Sequence, residues 1–112
     1  MSRHDNAAYL LDIRQAAQAA VSFIEGMDEA AFRSDAKTQA AVQHQIMIIG
    51  EAAKRLSPEF REQHPKVPWG AVARMRDRLI HGYSTVDMAV VWTTAKEGLP
   101  ELLSAIETFQ GD

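Results

Sequence analysis

The chain has 112 residues, 46% apolar and 24% charged, a balance that suits one compact globular domain over residues 1–112 and excludes a disordered segment. It holds no cysteine, which removes disulfides, thiolate nucleophiles and cysteine-ligated zinc from consideration. Its net charge of −3 argues against a domain that binds nucleic acid through overall charge, and its apolar stretches fall far short of the ~20 residues that cross a bilayer.

The opening MSRHDNAAYL carries charges and no signal-type apolar core, so a cytoplasmic location is expected. Leu10, Ile13, Ala17, Ala20 and Ile24 recur at steps of three and four, the stripe of a long amphipathic helix. Gly26 ends that pattern, and Asp28 or Ser34 is placed to cap the next element. Val42, Ile46, Ile49, Ala53 and Leu56 form a second stripe, which predicts a helix from about Asp35 to Leu56, stopped by Ser57-Pro58. Gly50 interrupts it at a cost of roughly 1 kcal/mol against alanine, as expected where another backbone comes close. SPEFREQHP starts with Ser57-Pro58 and is limited by Pro65, so it reads as a two-turn connector. Pro68 precedes a third helix with Val72, Met75 and Leu79, and Gly82 stands where a C-terminal cap belongs. Asp87 opens a fourth pattern, Val91, Ala95, Leu99, Leu102, Ile106 and Phe109, with a kink or break expected at Gly98–Pro100. No segment alternates as a strand does. The prediction is an all-α antiparallel bundle of four main helices with short connecting helices.

Charge is unevenly spread. From Lys54 to His81 there are seven positive and three negative side chains, whereas the remainder holds five and twelve. Such a segment attracts a phosphate locally, unless the clustering is only that of solvated side chains. Its densest part, RMRDRLIHGY at 74–83, crowds Arg74, Arg76, Asp77, Arg78, His81 and Tyr83 together. Arg76 and His81 are five apart, about 140° around an ideal helix, so they converge only if His81 lies in or beyond the last turn. Two readings stand at this point. In one, Arg78 and His81 face the negative end of the helix dipole, Gly82 is the cap and Tyr83 packs back. In the other, Arg76 binds a phosphate while His81, with an imidazole reference value near 6.5, transfers a proton.

IGEAAKRLSPEFREQHPKVPW at 49–69, followed by MRDRLIHGY at 75–83, resembles the HepT-like branch of the HEPN superfamily, and the VDMAVVW and LPELL segments extend the similarity along nearly the whole chain. Arg76, His81 and Tyr83 match its Arg-x4-His-x-Tyr motif. The resemblance implies a HEPN-like helical fold and a metal-independent endoribonuclease, the toxin of a type II toxin–antitoxin pair, with Arg76 and His81 catalytic. It further implies a small nucleotidyltransferase antitoxin of the MntA type, which adds AMP to the tyrosine at position 83. Added bulk and negative charge beside the catalytic pair would exclude an RNA phosphate.

Metal-free RNA cleavage requires a base for the ribose 2′-hydroxyl, an acid for the leaving oxygen and positive charge for the pentacoordinate phosphate. His4, His44 and His64 belong to other elements, so a two-fold homodimer joining two Arg76/His81 pairs is the simplest source of the second imidazole, with higher oligomers possible. Asp77 replaces the asparagine expected after the motif arginine. It either orients His81 or Arg76 as a supporting group, or pairs with Arg74 or Arg78, and it adds negative charge where RNA must bind. That charge, with the net acidity, favours an alternative, a non-catalytic dimeric HEPN-type module partnering a nucleotidyltransferase. Neither a metal nor another cofactor is expected: His44 and His64 lack metal-site spacing, and there is no HExxH and no glycine-rich phosphate loop. Trp69 and Trp92 read as core or interface anchors rather than base-stacking platforms.

Overall fold

The computed structural model describes residues 3–81 and 87–107, with side chains at 6–79 and 87–107, and every regular element within them is helical. The first helix, α1 (Arg3–Phe23), buries Ile13, Ala17 and Ala20 completely, and Ile24 just beyond its end continues the stripe. Gly26 turns the chain at φ 80°, a left-handed conformation that glycine adopts without a Cβ penalty. Asp28 then caps a five-residue helix, α2 (Glu29–Arg33), its carboxylate accepting the Ala31 N–H at 2.8 Å. Ser34 ends this helix rather than starting one, and the cap of the following helix is Asp35. The short helix exists to deliver Phe32, which is wholly buried with its ring 5.5 Å from that of Trp92.

The central element is α3 (Ala36–Arg55), capped by Asp35, which accepts the Thr38 N–H at 3.0 Å and the Thr38 hydroxyl at 2.8 Å. These hydrogen bonds, the backbone one foremost, hold the Asp35 carboxyl below its ordinary range. Val42, Ile46, Ile49 and Ala53 are buried as their spacing requires, and α3 packs against α1 on one side and α5 on the other. Ser57 caps the connector α4 (Pro58–Gln63) through the Phe60 N–H at 3.2 Å. Asn6 of α1 accepts the Ser57 N–H at 3.0 Å and donates to its hydroxyl at 3.1 Å, which ties the start of α1 to the end of α3.

The next helix, α5 (Trp69–His81), begins with a buried Trp69 whose indole donates to the His64 carbonyl at 3.0 Å. His64 and Trp69 both pack on Phe60, so His64 is structural. Leu79 is buried, and Val72 and Met75 are partly so. The fourth pattern is one rod in three pieces: α6 (Met88–Thr93), a wide turn at Thr94–Gly98, and α7 (Leu99–Glu107), which packs on α1. Asp87 caps it by accepting the Ala89 N–H at 2.8 Å. Pro100 has no N–H for the Lys96 carbonyl, and the Leu99 N–H bonds back to Thr94, five residues away. The expected disturbance at Gly98–Pro100 is therefore a π-type turn just ahead of the proline.

Gly50 marks the closest approach of two backbones. A Cβ added there would collide with Arg76 Cβ and come within 3.0 Å of Arg76 Cγ and 3.2 Å of the Val72 carbonyl oxygen. Neither Cβ can move without its helix, so the clash outweighs the ~1 kcal/mol that alanine gains in a helix. Gly50→Ala is expected to destabilise the fold by roughly 1–2 kcal/mol net, lowering the thermal midpoint by about 4–8 °C per kcal/mol. An unchanged or higher midpoint, followed by circular dichroism, would show that α3 and α5 do not meet there.

Candidate active site

Lys54 and Arg55 lie three and four residues after Glu51 on α3, which puts each on a row neighbouring that of Glu51, beside the Gly50 contact. Because Gly50 lets α5 come so close, Arg76 reaches across to this face. Its Nη2 donates to Glu51 Oε2 at 2.9 Å, and its Nη1 donates to Asp77 Oδ1 at 3.0 Å. Glu51 Oε1 accepts from Arg55 through Nε at 3.0 Å and Nη2 at 2.9 Å, while Lys54 Nζ stands 3.4 Å from Asp77 Oδ1. The result is a continuous chain of alternating charge, Arg55–Glu51–Arg76–Asp77–Lys54, that links α3 to α5.

The carboxylates respond as this arrangement requires. The hydrogen bond from Arg55, with Arg76 and Lys54 nearby, holds Glu51 below the usual carboxylate value against a small opposing effect of burial. The hydrogen bond from Arg76, supported by Lys54, lowers Asp77 in the same way. Arg55 is held charged more firmly still, by Glu51 first and by the side chain of Tyr9 second. Three cations and two anions leave the chain of contacts positive, although the protein as a whole is acidic.

The Arg76 side chain keeps 23% of its surface accessible and opens on a concave pocket of about 350 Å³ lined also by Tyr9, Asp12, His44, Met47, Glu51 and Arg55. It is neither sealed in the core nor swinging free. A guanidinium has five N–H donors, and the ion pairs engage Nη1 and Nη2, so Nε–H and the remaining Nη hydrogens are available to a ligand. A second cavity, of about 270 Å³, lies between α3, α5 and α7, where Ile46, Ile49, Val72, Met75, Leu99 and Leu102 make it mostly apolar, with Lys66 and Glu101 among its lining residues.

Of the residues singled out by sequence, Arg76 and Asp77 are brought together, and Asp77 pairs with Arg76 and Lys54 rather than with Arg74 or Arg78. α5 is described as far as His81, whose side chain lies outside the described residues, as do Gly82 and Tyr83, so the expected convergence of His81 with Arg76 lies outside them as well. Trp69 and Trp92 are buried anchors. Sequence reasoning missed Glu51, Lys54 and Arg55 as partners of the arginine, and it gave His44 no part in the site, whereas His44 lines the pocket. The available signal was the pairing of an interior helical glycine with charges one, four and five positions later.

The chain is similar to known proteins over most of its length. The family model described as Ribonuclease HepT-like matches residues 13–109. A protein named "Probable ribonuclease HepT" from Thermococcus cleftensis is 43% identical over 99 residues, covering 88% of this chain and 90% of its own. A Methanocaldococcus jannaschii protein named as a candidate RNase is 36% identical over 107 residues, covering 96% of this chain and 88% of its own. Another so named, from Caldanaerobacter subterraneus, is 40% identical over 94 residues and covers 84% of each chain. No solved structure matches the chain.

The lowered carboxylates give a signed pH dependence. A group with a depressed folded-state pKa binds more protons when unfolded, so its stabilisation is complete above the ordinary carboxylate range and disappears as pH falls through the lowered value. Urea unfolding of the wild type is expected to weaken from about pH 5 downwards, and Glu51→Gln and Asp77→Asn should each make that decline shallower. Both groups are solvent-screened, so each effect should be modest. Equal slopes in all three proteins would remove the ion-pair chain from the folded state.

Proposed function

Because the chain belongs to the Ribonuclease HepT-like family, we propose that it is an endoribonuclease that works without a metal ion and serves as the toxin of a toxin–antitoxin pair. The observation that carries this reading is Arg76, clamped by Glu51 and Asp77 at the mouth of an open pocket, on a helix whose last residue is His81. Arg76 binds the reacting phosphate and stabilises the charge that accumulates on its oxygens in the pentacoordinate transition state. His81 takes the proton of the ribose 2′-hydroxyl, whose oxygen attacks phosphorus, and the partner's His81 gives a proton to the departing 5′-oxygen. One imidazole thus acts neutral and the other protonated, which is why the site is built from two subunits.

Asp77 does not oppose this chemistry. Its charge is shared between Arg76 and Lys54, so it acts as a support that orients the guanidinium fork, and the local balance stays positive for an incoming phosphate. That balance removes the main reason for preferring a non-catalytic binding module. Regulation follows from Tyr83, two residues after His81. A nucleotidyltransferase antitoxin joins the Tyr83 hydroxyl to the α-phosphorus of ATP, releasing pyrophosphate, and the resulting AMP diester places a negative charge and a nucleoside in the path of the RNA.

Purified protein incubated with RNA is expected to cleave it equally with and without EDTA. His81→Ala should lose about 10²–10⁴-fold in rate, and Arg76→Ala about 10²–10³-fold. Loss of cleavage on chelation, or full activity in His81→Ala, contradicts the mechanism. The rate of the wild type should fall on both sides of an optimum pH, because one neutral and one protonated imidazole are needed together. For regulation, mixing with a nucleotidyltransferase of the MntA type and ATP should add the mass of AMP to the wild type but not to Tyr83→Phe, which should stay active. Inhibition of Tyr83→Phe to the wild-type extent would rule out tyrosine modification.

A further inference from the structure

The pocket in front of Arg76 is larger than a single phosphate needs, and its composition is unusual for an anion site. The rings of Tyr9 and His44 and the side chains of Met47, Ile48 and Ala52 line it together with the carboxylates of Asp12 and Glu51, while Arg55 and Arg76 both open onto it. The two guanidiniums are separated by a single carboxylate: Glu51 binds Arg55 with one oxygen and Arg76 with the other. Arg55 commits Nε and Nη2 to Glu51 and is hydrogen-bonded to the Tyr9 side chain as well, yet its side chain stays 57% accessible.

Two cations at this short, fixed separation beside an apolar, ring-lined hollow suit a ligand with two neighbouring anionic groups and a flat heteroaromatic group between them. A free phosphate or a protein carboxylate would leave the hollow empty, and a base alone would leave the cations unmatched. A strand of RNA has the required alternation, since every nucleoside lies between two phosphates, and a base stacks on aromatic side chains whatever its identity. Resting on the ribonuclease reading above, we propose that Arg55 binds the phosphate adjoining the one held by Arg76, and that the nucleobase between them enters the pocket beside Tyr9 and Met47. Glu51 is then the positioning residue that fixes the spacing of the two phosphate-binding groups.

The test is titration of a short fluorescent 2′-fluoro RNA strand, which lacks the attacking hydroxyl, followed by anisotropy at several salt concentrations. Each phosphate contact on a single strand contributes about 0.7 to the slope of log K against log salt, so Arg55→Ala is expected to lower that slope by about 0.7 per occupied site. Tyr9→Ala should weaken binding roughly 5–100-fold through lost stacking and leave the slope unchanged, while Tyr9→Phe, which keeps the ring, should bind like the wild type. On a strand made abasic throughout, Tyr9→Ala should bind as the wild type does. Thermal midpoints confirm that each variant is folded. An unchanged slope in Arg55→Ala, an equal loss on the abasic strand, or no binding by the wild type each overturns the subsite. Because the strand cannot be cut, failure to cleave ordinary RNA sinks the nuclease reading without altering these results, and an unchanged slope sinks the subsite while the nuclease reading stands.

Discussion

The contact on which the rest of the structure depends is the meeting of α3 and α5 at Gly50 and Arg76. With no side chain at Gly50, the two helices approach until Arg76 Cβ fills the space that a methyl group would take. Close approach costs helix propensity, and tertiary packing offsets it. It also sets the reach of the Arg76 side chain, which spans from α5 to Glu51 on α3 and cannot retract into the core. One glycine therefore serves packing and chemistry together: it allows the helices to meet and leaves the guanidinium at the surface with a fixed direction.

The ion-pair chain built on that contact is of little consequence for stability and of more for orientation. Exposed pairs contribute little to stability because solvent screens them, and these side chains are at least partly exposed. What they supply is a restricted geometry for a group with many rotamers, since a guanidinium bound at both terminal nitrogens has little freedom left. The alternation of sign also explains how an acidic protein offers a positive site. Each carboxylate of the ion-pair chain, Glu51 and Asp77, lies between two cations.

Most of the fold was legible because helical periodicity was regular: the stripes on α1, α3, α5 and the α6–α7 rod are buried, or partly so at Leu10, Val72 and Met75, with Phe109 outside the described residues. Proline and capping residues fixed the boundaries of α4 and α6 to within a residue or so. The short helix α2 escaped notice because five residues carry no period, and Phe32 alone announces it. Arg76 and Asp77 were visible as part of a dense polar run, which is local in sequence. Glu51, Arg55 and Tyr9 were not, because they reach the site only through the packing of α1 and α3 against each other and against α5, and a pattern read along the chain does not say which polar faces will meet.

The wide turn at Thr94–Gly98 has a geometric consequence for the last helix. Val91, Ala95 and Leu99 are spaced by four, and on an ideal α-helix each such step winds the stripe about 40° off line. A turn closed five residues back is broader and takes up that drift. Leu99, Leu102 and Ile106 consequently remain on the inner side of the rod and are buried. The proline does more than interrupt: by denying Lys96 its usual donor, it resets the phase of the helix, so that two apolar stripes that would otherwise diverge are joined into one continuous inner seam, packed on α2 and α3 along α6 and on α1 along α7.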